Sequence, residues 1–123
     1  MFSYYGSKSK IVNYYPTPKH KRIIEPFAGS ARYSLRFWQN DILLVDKYET
    51  VVTVWHYLQQ ASKKDILGLP KMVAGMELNK MDLSDGERLL LGFFAGQGSL
   101  EPRNKVSTMA EHSFNTTPNR YKN

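Results

Sequence analysis

Cysteine is absent from the 123 residues, so no disulfide framework and no thiolate metal site can form. A chain without thiols suits a reducing compartment. No apolar run approaches the roughly 20 residues of a membrane helix, and none near the amino terminus has the make-up of a secretion signal. These absences predict a soluble protein of the cytoplasm. Histidine is scarce and scattered, at His20, His56 and His112, and no His/Asp/Glu set has metal-ligand spacing. His56, beside Trp55, reads as a packing residue. There is no internal repeat and no G-x-G-x-x-G run.

What is present is one small domain, or part of a larger one, with 41% hydrophobic and 23% charged residues. Seventeen Lys and Arg against eleven Asp and Glu give a formal charge of +6. That surplus fits a polyanionic partner, and it fits a well-solvated surface equally well. Its placement favours the partner. Lys8, Lys10, Lys19, Lys21 and Arg22 crowd the start, and Arg103, Lys105, Arg120 and Lys122 crowd the end. Most acids lie between Asp41 and Asp85.

The pattern along the chain predicts alternating helices and strands. Ser7 is a plausible N-cap for a helix carrying Ile11, Val12, Tyr14 and Tyr15, ended by Pro16 and Pro18. Residues 22–25 form a β-branched strand candidate, broken by residues 26–30. Residues 31–38 turn helical, with Tyr33, Leu35, Phe37 and Trp38 apolar. Residues 41–45 make a nearly continuous apolar run, the signature of a strand covered on both faces. Residues 48–61 read as a helix, and Ser62 as the cap of a short helix through Leu67. Residues 71–81 show no period. Ser84 and Glu87 form a capping-box pattern ahead of a helix from about Asp85 to Ala95. Gly96, Gly98 and Pro102 mark a loop. From Asn104 onward the tail is polar, without apolar period, and any order in it must come from elsewhere. Trp38, Trp55, Phe93 and Phe94 read as core.

Helix, strand, helix, strand, helix is the order of a doubly wound α/β sheet, whose ligands bind outside the carboxyl ends of the strands. A Gly29 loop follows the first strand, and Asp46 follows the second, 21 positions after Glu25. Glycine lets the backbone approach a ligand, and a carboxylate can accept hydrogen bonds from vicinal ribose hydroxyls. The plainer alternative is a structural turn, with Asp46 capping the following helix.

Three motifs then carry a resemblance. Glu25-Pro26-Phe27-Ala28-Gly29-Ser30-Ala31 is similar to the E-P-F-x-G-x-G loop of Dam-type adenine-specific DNA methyltransferases. Tyr4-Tyr5-Gly6-Ser7-Lys8 resembles their amino-terminal W/Y-x-G-G/S-K element, and Leu44-Val45-Asp46-Lys47-Tyr48 resembles their l-x-D-x-N segment. The order and spacing are those of the family, and similarity extends through Gly92 to about Arg103. Ala31 stands where the family often has a second loop glycine, and Lys47-Tyr48 replaces the commoner Ile-Asn.

The resemblance implies part of a doubly wound, Rossmann-like methyltransferase fold with an incomplete sheet. It implies S-adenosyl-L-methionine as cofactor and double-stranded DNA as partner, in a restriction–modification or phage setting. Tyr4 or Tyr5 would fold against the cofactor, and Gly6 would permit close backbone contact. Lys8 would face the methionine portion or the DNA backbone. Glu25, Pro26, Phe27, Ala28 and Gly29 would shape the floor of the site. Asp46 would hold the ribose hydroxyls, with Lys47 or Tyr48 beside the adenine. Arg103 and Lys105 would reach phosphates, unless they belong to a solvated loop. Residues 1–103 are thus expected to be the cofactor-binding part, and 104–123 a tail toward a DNA-recognition region.

The family transfers its methyl group through a D-P-P-Y-type motif that receives a flipped adenine. Every proline here is single, so no such motif occurs. The expectation is a chain that ends before its catalytic part, binds cofactor weakly or not at all alone, and does not methylate DNA without the rest of its own chain. Two alternatives stand beside it. One is a non-catalytic cofactor- or DNA-binding remnant or regulator. The other is a small dehydrogenase-like nucleotide binder, which the missing glycines disfavour.

Overall fold

The computed structural model describes Phe2, residues 4–96 and residues 99–116, with side chains through Phe114. The chain is a mixed α/β protein built in two halves. The first is a β–α–β unit of strand β1 (Arg22–Pro26), helix α1 (Arg32–Arg36) and strand β2 (Asp41–Val45). The second is helical, with α2 (Glu49–Gln60), α3 (Lys63–Leu67), α4 (Asp85–Ala95) and α5 (Thr108–Thr116). No helix among the described residues is long and apolar enough to cross a membrane.

The strands pair in parallel, with Arg22 opposite Asp41, Ile24 opposite Leu43 and Pro26 opposite Val45. Successive side chains alternate between faces. Ile23 and Glu25 are buried on the α1 side, while Ile24, Leu43 and Val45 lie exposed on the other. This corrects the expectation of a strand covered on both faces. Burying a parallel sheet takes helices on both of its sides, and among the described residues no helix covers the Ile24 face, which Tyr15 and Pro16 only border.

The first predicted helix is also absent. Residues 8–14 instead form two short 3-10 turns, Lys8–Lys10 and Val12–Tyr14. Ser7 caps neither turn; its hydroxyl pairs with that of Ser30 at 3.0 Å. Of the expected apolar face only Val12 is buried, and Ile11, Tyr14 and Tyr15 are exposed. Helix α1 is shorter than predicted, and Trp38, read as core, lies beyond it and is exposed.

The core lies in the helical half. Val51 and Val54 of α2 pack with Leu90, Leu91, Phe93 and Phe94 of α4, joined by Phe2, Met72, Leu78, Val106 and Ala110. Gly86 permits the α2–α4 approach: a Cβ there would stand 2.4 Å from Cβ of Tyr57. Both short-range start signals are realised. Ser62 with Asp65 and Ser84 with Glu87 form reciprocal capping boxes at α3 and α4.

The polar tail is partly helical. Ser107 accepts the Ala110 N–H at 3.1 Å, Ala110 is buried, and Phe114 meets Phe94 edge-on at 5.5 Å. Upstream, Val106 donates to the Met76 carbonyl and accepts from Gly75. Its order is supplied by α4 and by residues 74–78, which is why the tail's own pattern is silent. Gly98, Arg120 and Lys122 lie outside the described residues.

Candidate functional site

The carboxyl ends of β1 and β2 lie side by side because the strands are parallel and in register. The chain leaving β1 must therefore turn within a few residues beside Asp46. It does so through alternating left-handed backbone: φ is +55° at Phe27, +49° at Gly29 and +47° at Ala31. Glycine adopts this region freely, whereas other residues incur about 1–2 kcal/mol. Strain of this kind persists where the surroundings over-determine it, commonly at binding sites.

Three hydrogen bonds tie the loop to the end of β2 and to α2. Ala28 N–H donates to the Val45 carbonyl at 3.0 Å, and Gly29 N–H donates to Asp46 Oδ2 at 2.8 Å. Trp55 Nε1 of α2 donates to the Gly29 carbonyl at 2.7 Å. Asp46 Oδ1 also accepts the Tyr48 N–H at 2.9 Å. Each carboxylate oxygen has two acceptor positions, so Asp46 anchors the loop with one hydrogen bond accepted on each oxygen.

Glu25 is buried and serves the scaffold. Its Oε2 accepts from Ser34 N–H at 3.0 Å and Ser34 Oγ at 2.5 Å, and its Oε1 lies 3.5 Å from Lys8 Nζ. The acid of β1 thus satisfies the first turn of α1 and ties down the amino-terminal segment.

The amino-terminal segment crosses the loop. Phe2 is anchored in the core against Trp55 and Phe93. The Tyr4 ring lies on Gly29 so closely that a Cβ there would be 3.0 Å from Tyr4 Cδ1. Burial first, then the Asp46 carboxylate and Tyr48, push the Tyr4 phenol above its ordinary pKa, so it is a neutral hydroxyl at physiological pH. Gly6, with φ +74°, turns the chain toward Lys8.

Tyr4, Gly6, Lys8, Glu25, Phe27, Ala28 and Gly29 line one small cavity together with Ser7, Ser30 and Arg32, and Asp46 borders it through Gly29. Of the sequence-predicted residues, Tyr5, Pro26 and Lys47 do not join it. All three are exposed, and Tyr5 donates its backbone N–H to the Ser99 carbonyl. Arg103 and Lys105 belong to the loop after α4: Arg103 lays its side chain on Gly96, and Lys105 pairs with Glu77 through the backbone, in an isolated antiparallel bridge. His56, expected to pack, is exposed on α2.

The sequence reading missed Trp55 as a loop anchor and Ser34 as the partner of Glu25. The indole N–H was the available signal for Trp55, because a buried Trp needs an acceptor. Phe27 was expected at the site, but not its conformation: it is 80% exposed and its backbone is left-handed.

The enclosed volume is about 40 Å³, whereas pockets that engulf a small molecule run to roughly 300–1,000 Å³. Tyr4 fills the space above Gly29. A ligand held by Asp46 and Gly29 would rest mainly on the open strand ends. No protein-family model, curated protein or solved structure matches the chain.

Proposed function

We propose that the chain is the S-adenosylmethionine-binding amino-terminal portion of a Dam-type adenine-specific DNA methyltransferase, with an incomplete Rossmann-like sheet, acting in the cytoplasm on double-stranded DNA. The observation that carries this reading is the 2.8 Å bond from Gly29 N–H to Asp46. It joins the glycine loop of one parallel strand to the acid of the next, at the strand ends where α/β sheets bind ligands. The motifs that resemble the family fall at those places.

On this reading Asp46 accepts the ribose hydroxyls through its two remaining acceptor positions. Phe27 offers an exposed ring to the cofactor, and Ala28 and Gly29 give it a backbone floor. Tyr4 moves aside to admit the methionine end. The cofactor, when bound, supplies the methyl group. The residues here bind and orient it, and methyl transfer needs a D-P-P-Y-type motif that these 123 residues do not contain. Without a full enclosure the affinity is low.

A second reading is a non-catalytic cofactor- or DNA-binding module. It is favoured by the helical half, which closes a core of its own around Phe93 and Leu91.

Calorimetric titration of the chain with S-adenosylhomocysteine tests the shared premise. Weak binding, lowered at least about tenfold by Asp46→Asn, is the expected result. Preference for a nicotinamide dinucleotide, or binding unchanged by Asp46→Asn, refutes it. Methyl incorporation into DNA by the 123 residues alone would contradict the division of labour, while incorporation only after joining to a D-P-P-Y-containing segment selects the enzyme over the module.

A further inference from the structure

A second, larger concavity lies between α1 and the two 3-10 turns. It has a volume of about 630 Å³ and is lined by Val12, Asn13, Arg32, Leu35, Arg36, Trp38 and Ser9, none of them acidic. Trp38 is 69% exposed, an unusual position for one of the protein's two largest side chains. Among the described residues neither arginine has a carboxylate partner. Both are nonetheless held in place by neutral acceptors. Arg36 Nη1 donates to Asn13 Oδ1 at 2.7 Å and to the Val12 carbonyl at 3.4 Å, and Arg32 Nε donates to Ser7 Oγ at 3.3 Å. Their other N–H groups have no partner among the described residues.

Arg36 also lies over the Phe37 ring, 5.7 Å from its centroid. An apolar floor, an exposed indole and two oriented guanidinium groups without carboxylate partners make a specific demand on a ligand. It must carry a flat ring to stack and an anion that accepts from a fork of N–H donors. A nucleotide unit has both. A purely hydrophobic partner leaves the arginines unpaired, and a simple anion leaves the indole in water. The net charge of +6 adds attraction at longer range.

The geometry points to this groove as a nucleotide-binding site in which Trp38 stacks on a base and Arg36, with Arg32, holds its phosphate, the nucleotide being a free monophosphate or one unit of a single strand. The site goes beyond the cofactor reading and stands without it. Trp38 and Arg36 do not line the loop cavity, although Arg32 borders both.

The test is fluorescence anisotropy with a labelled oligothymidylate of about eight nucleotides, within the usual span of single-strand sites. Trp38→Ala, Arg36→Gln and the control Lys63→Gln, an equal charge change on α3, are compared after circular dichroism shows that each is folded. Arg36→Lys serves as a second variant that keeps the charge and removes the fork. The proposal expects Trp38→Ala and Arg36→Gln each to weaken binding about tenfold, Arg36→Lys several-fold, and Lys63→Gln less than twofold. Asp46→Asn, a charge change of the same size, alters this binding less than twofold while weakening that of the cofactor analogue, which separates the groove from the cofactor site. Competition by thymidine monophosphate at similar nucleotide concentration assigns a free-nucleotide site, and competition only by the strand assigns a polymer site. No binding, equal loss in Lys63→Gln, or displacement as effective by inorganic phosphate or by a phosphorylated acidic peptide overturns the proposal.

Discussion

The two halves of the molecule solve opposite problems. In the helical half, Val51, Val54, Leu78, Leu91 and Phe93 are fully buried, and two capping boxes close the helix starts. In the β–α–β half, Ile24, Phe27, Trp38, Leu43 and Val45 are exposed, and two residues other than glycine are held in left-handed backbone. The comparison teaches where stability and binding reside. Buried apolar area holds the chain folded, while the strained, open half presents groups to a ligand. They meet at Trp55, whose ring touches Phe2 and whose N–H holds the Gly29 carbonyl.

The sharpest way to break the contrast is in the helical core. Phe93→Ala deletes a fully buried ring that touches both Phe2 and Tyr4. It is expected to cost about 3–5 kcal/mol in urea unfolding, enough to leave a small domain largely unfolded. A loss under 1 kcal/mol means that the core is not where the structure has it.

The loop separates stability from binding. Gly29→Ala is strained by its φ and drives a methyl against the Tyr4 ring; it is expected to destabilise by about 1–2 kcal/mol and to weaken S-adenosylhomocysteine binding. Phe27→Gly is expected to do the reverse for stability, relieving left-handed strain worth roughly 1 kcal/mol, while still weakening the ligand. Thermal melts and calorimetry on the pair check this. If Phe27→Gly binds as well as the parent, the exposed ring has no part in the site.

Much of this division was legible locally. The boxes Ser62–Asp65 and Ser84–Glu87 announce their helices because a cap needs only residues three apart. Strand β2 was equally plain as an apolar run. What lay hidden was non-local. The covering of one sheet face depends on what packs there, which no run of five residues encodes. Trp38 and Trp55 look alike in helical periodicity, yet one is exposed and the other anchors a loop. Ser7 reads as a cap until its partner, Ser30, 23 positions away, is known. Within the candidate site, Gly29 and Asp46 stood out by residue type. The burial of Glu25 and the left-handed Ala31, at the place of a family glycine, did not.

Smaller effects sharpen the contrast further. Ile24→Thr on the exposed sheet face is expected to change stability by no more than about 0.5 kcal/mol, unlike any core substitution in α4. A larger loss, measured by thermal melting, means that the face is covered. The smallest effect is with pH. Hydrogen bonds from Ser62 hold the Asp65 carboxyl below its usual range. Its folded pKa is depressed, so the contribution to α3 is present above the unfolded value of about 4 and is lost as pH falls through the lower folded value. Amide protection in α3, corrected for the intrinsic pH dependence of exchange, is expected to fall on acidification over that window, and Asp65→Asn to abolish the change.

The most direct test of the central claim is to map backbone amide shifts by nuclear magnetic resonance as S-adenosylhomocysteine is added. The account predicts shifts that saturate at Ala28, Gly29, Ser30, Asp46 and Tyr48, extend to Tyr4, and leave α4 and α5 in place. Shifts centred on the helical half, or none at millimolar ligand, would contradict it.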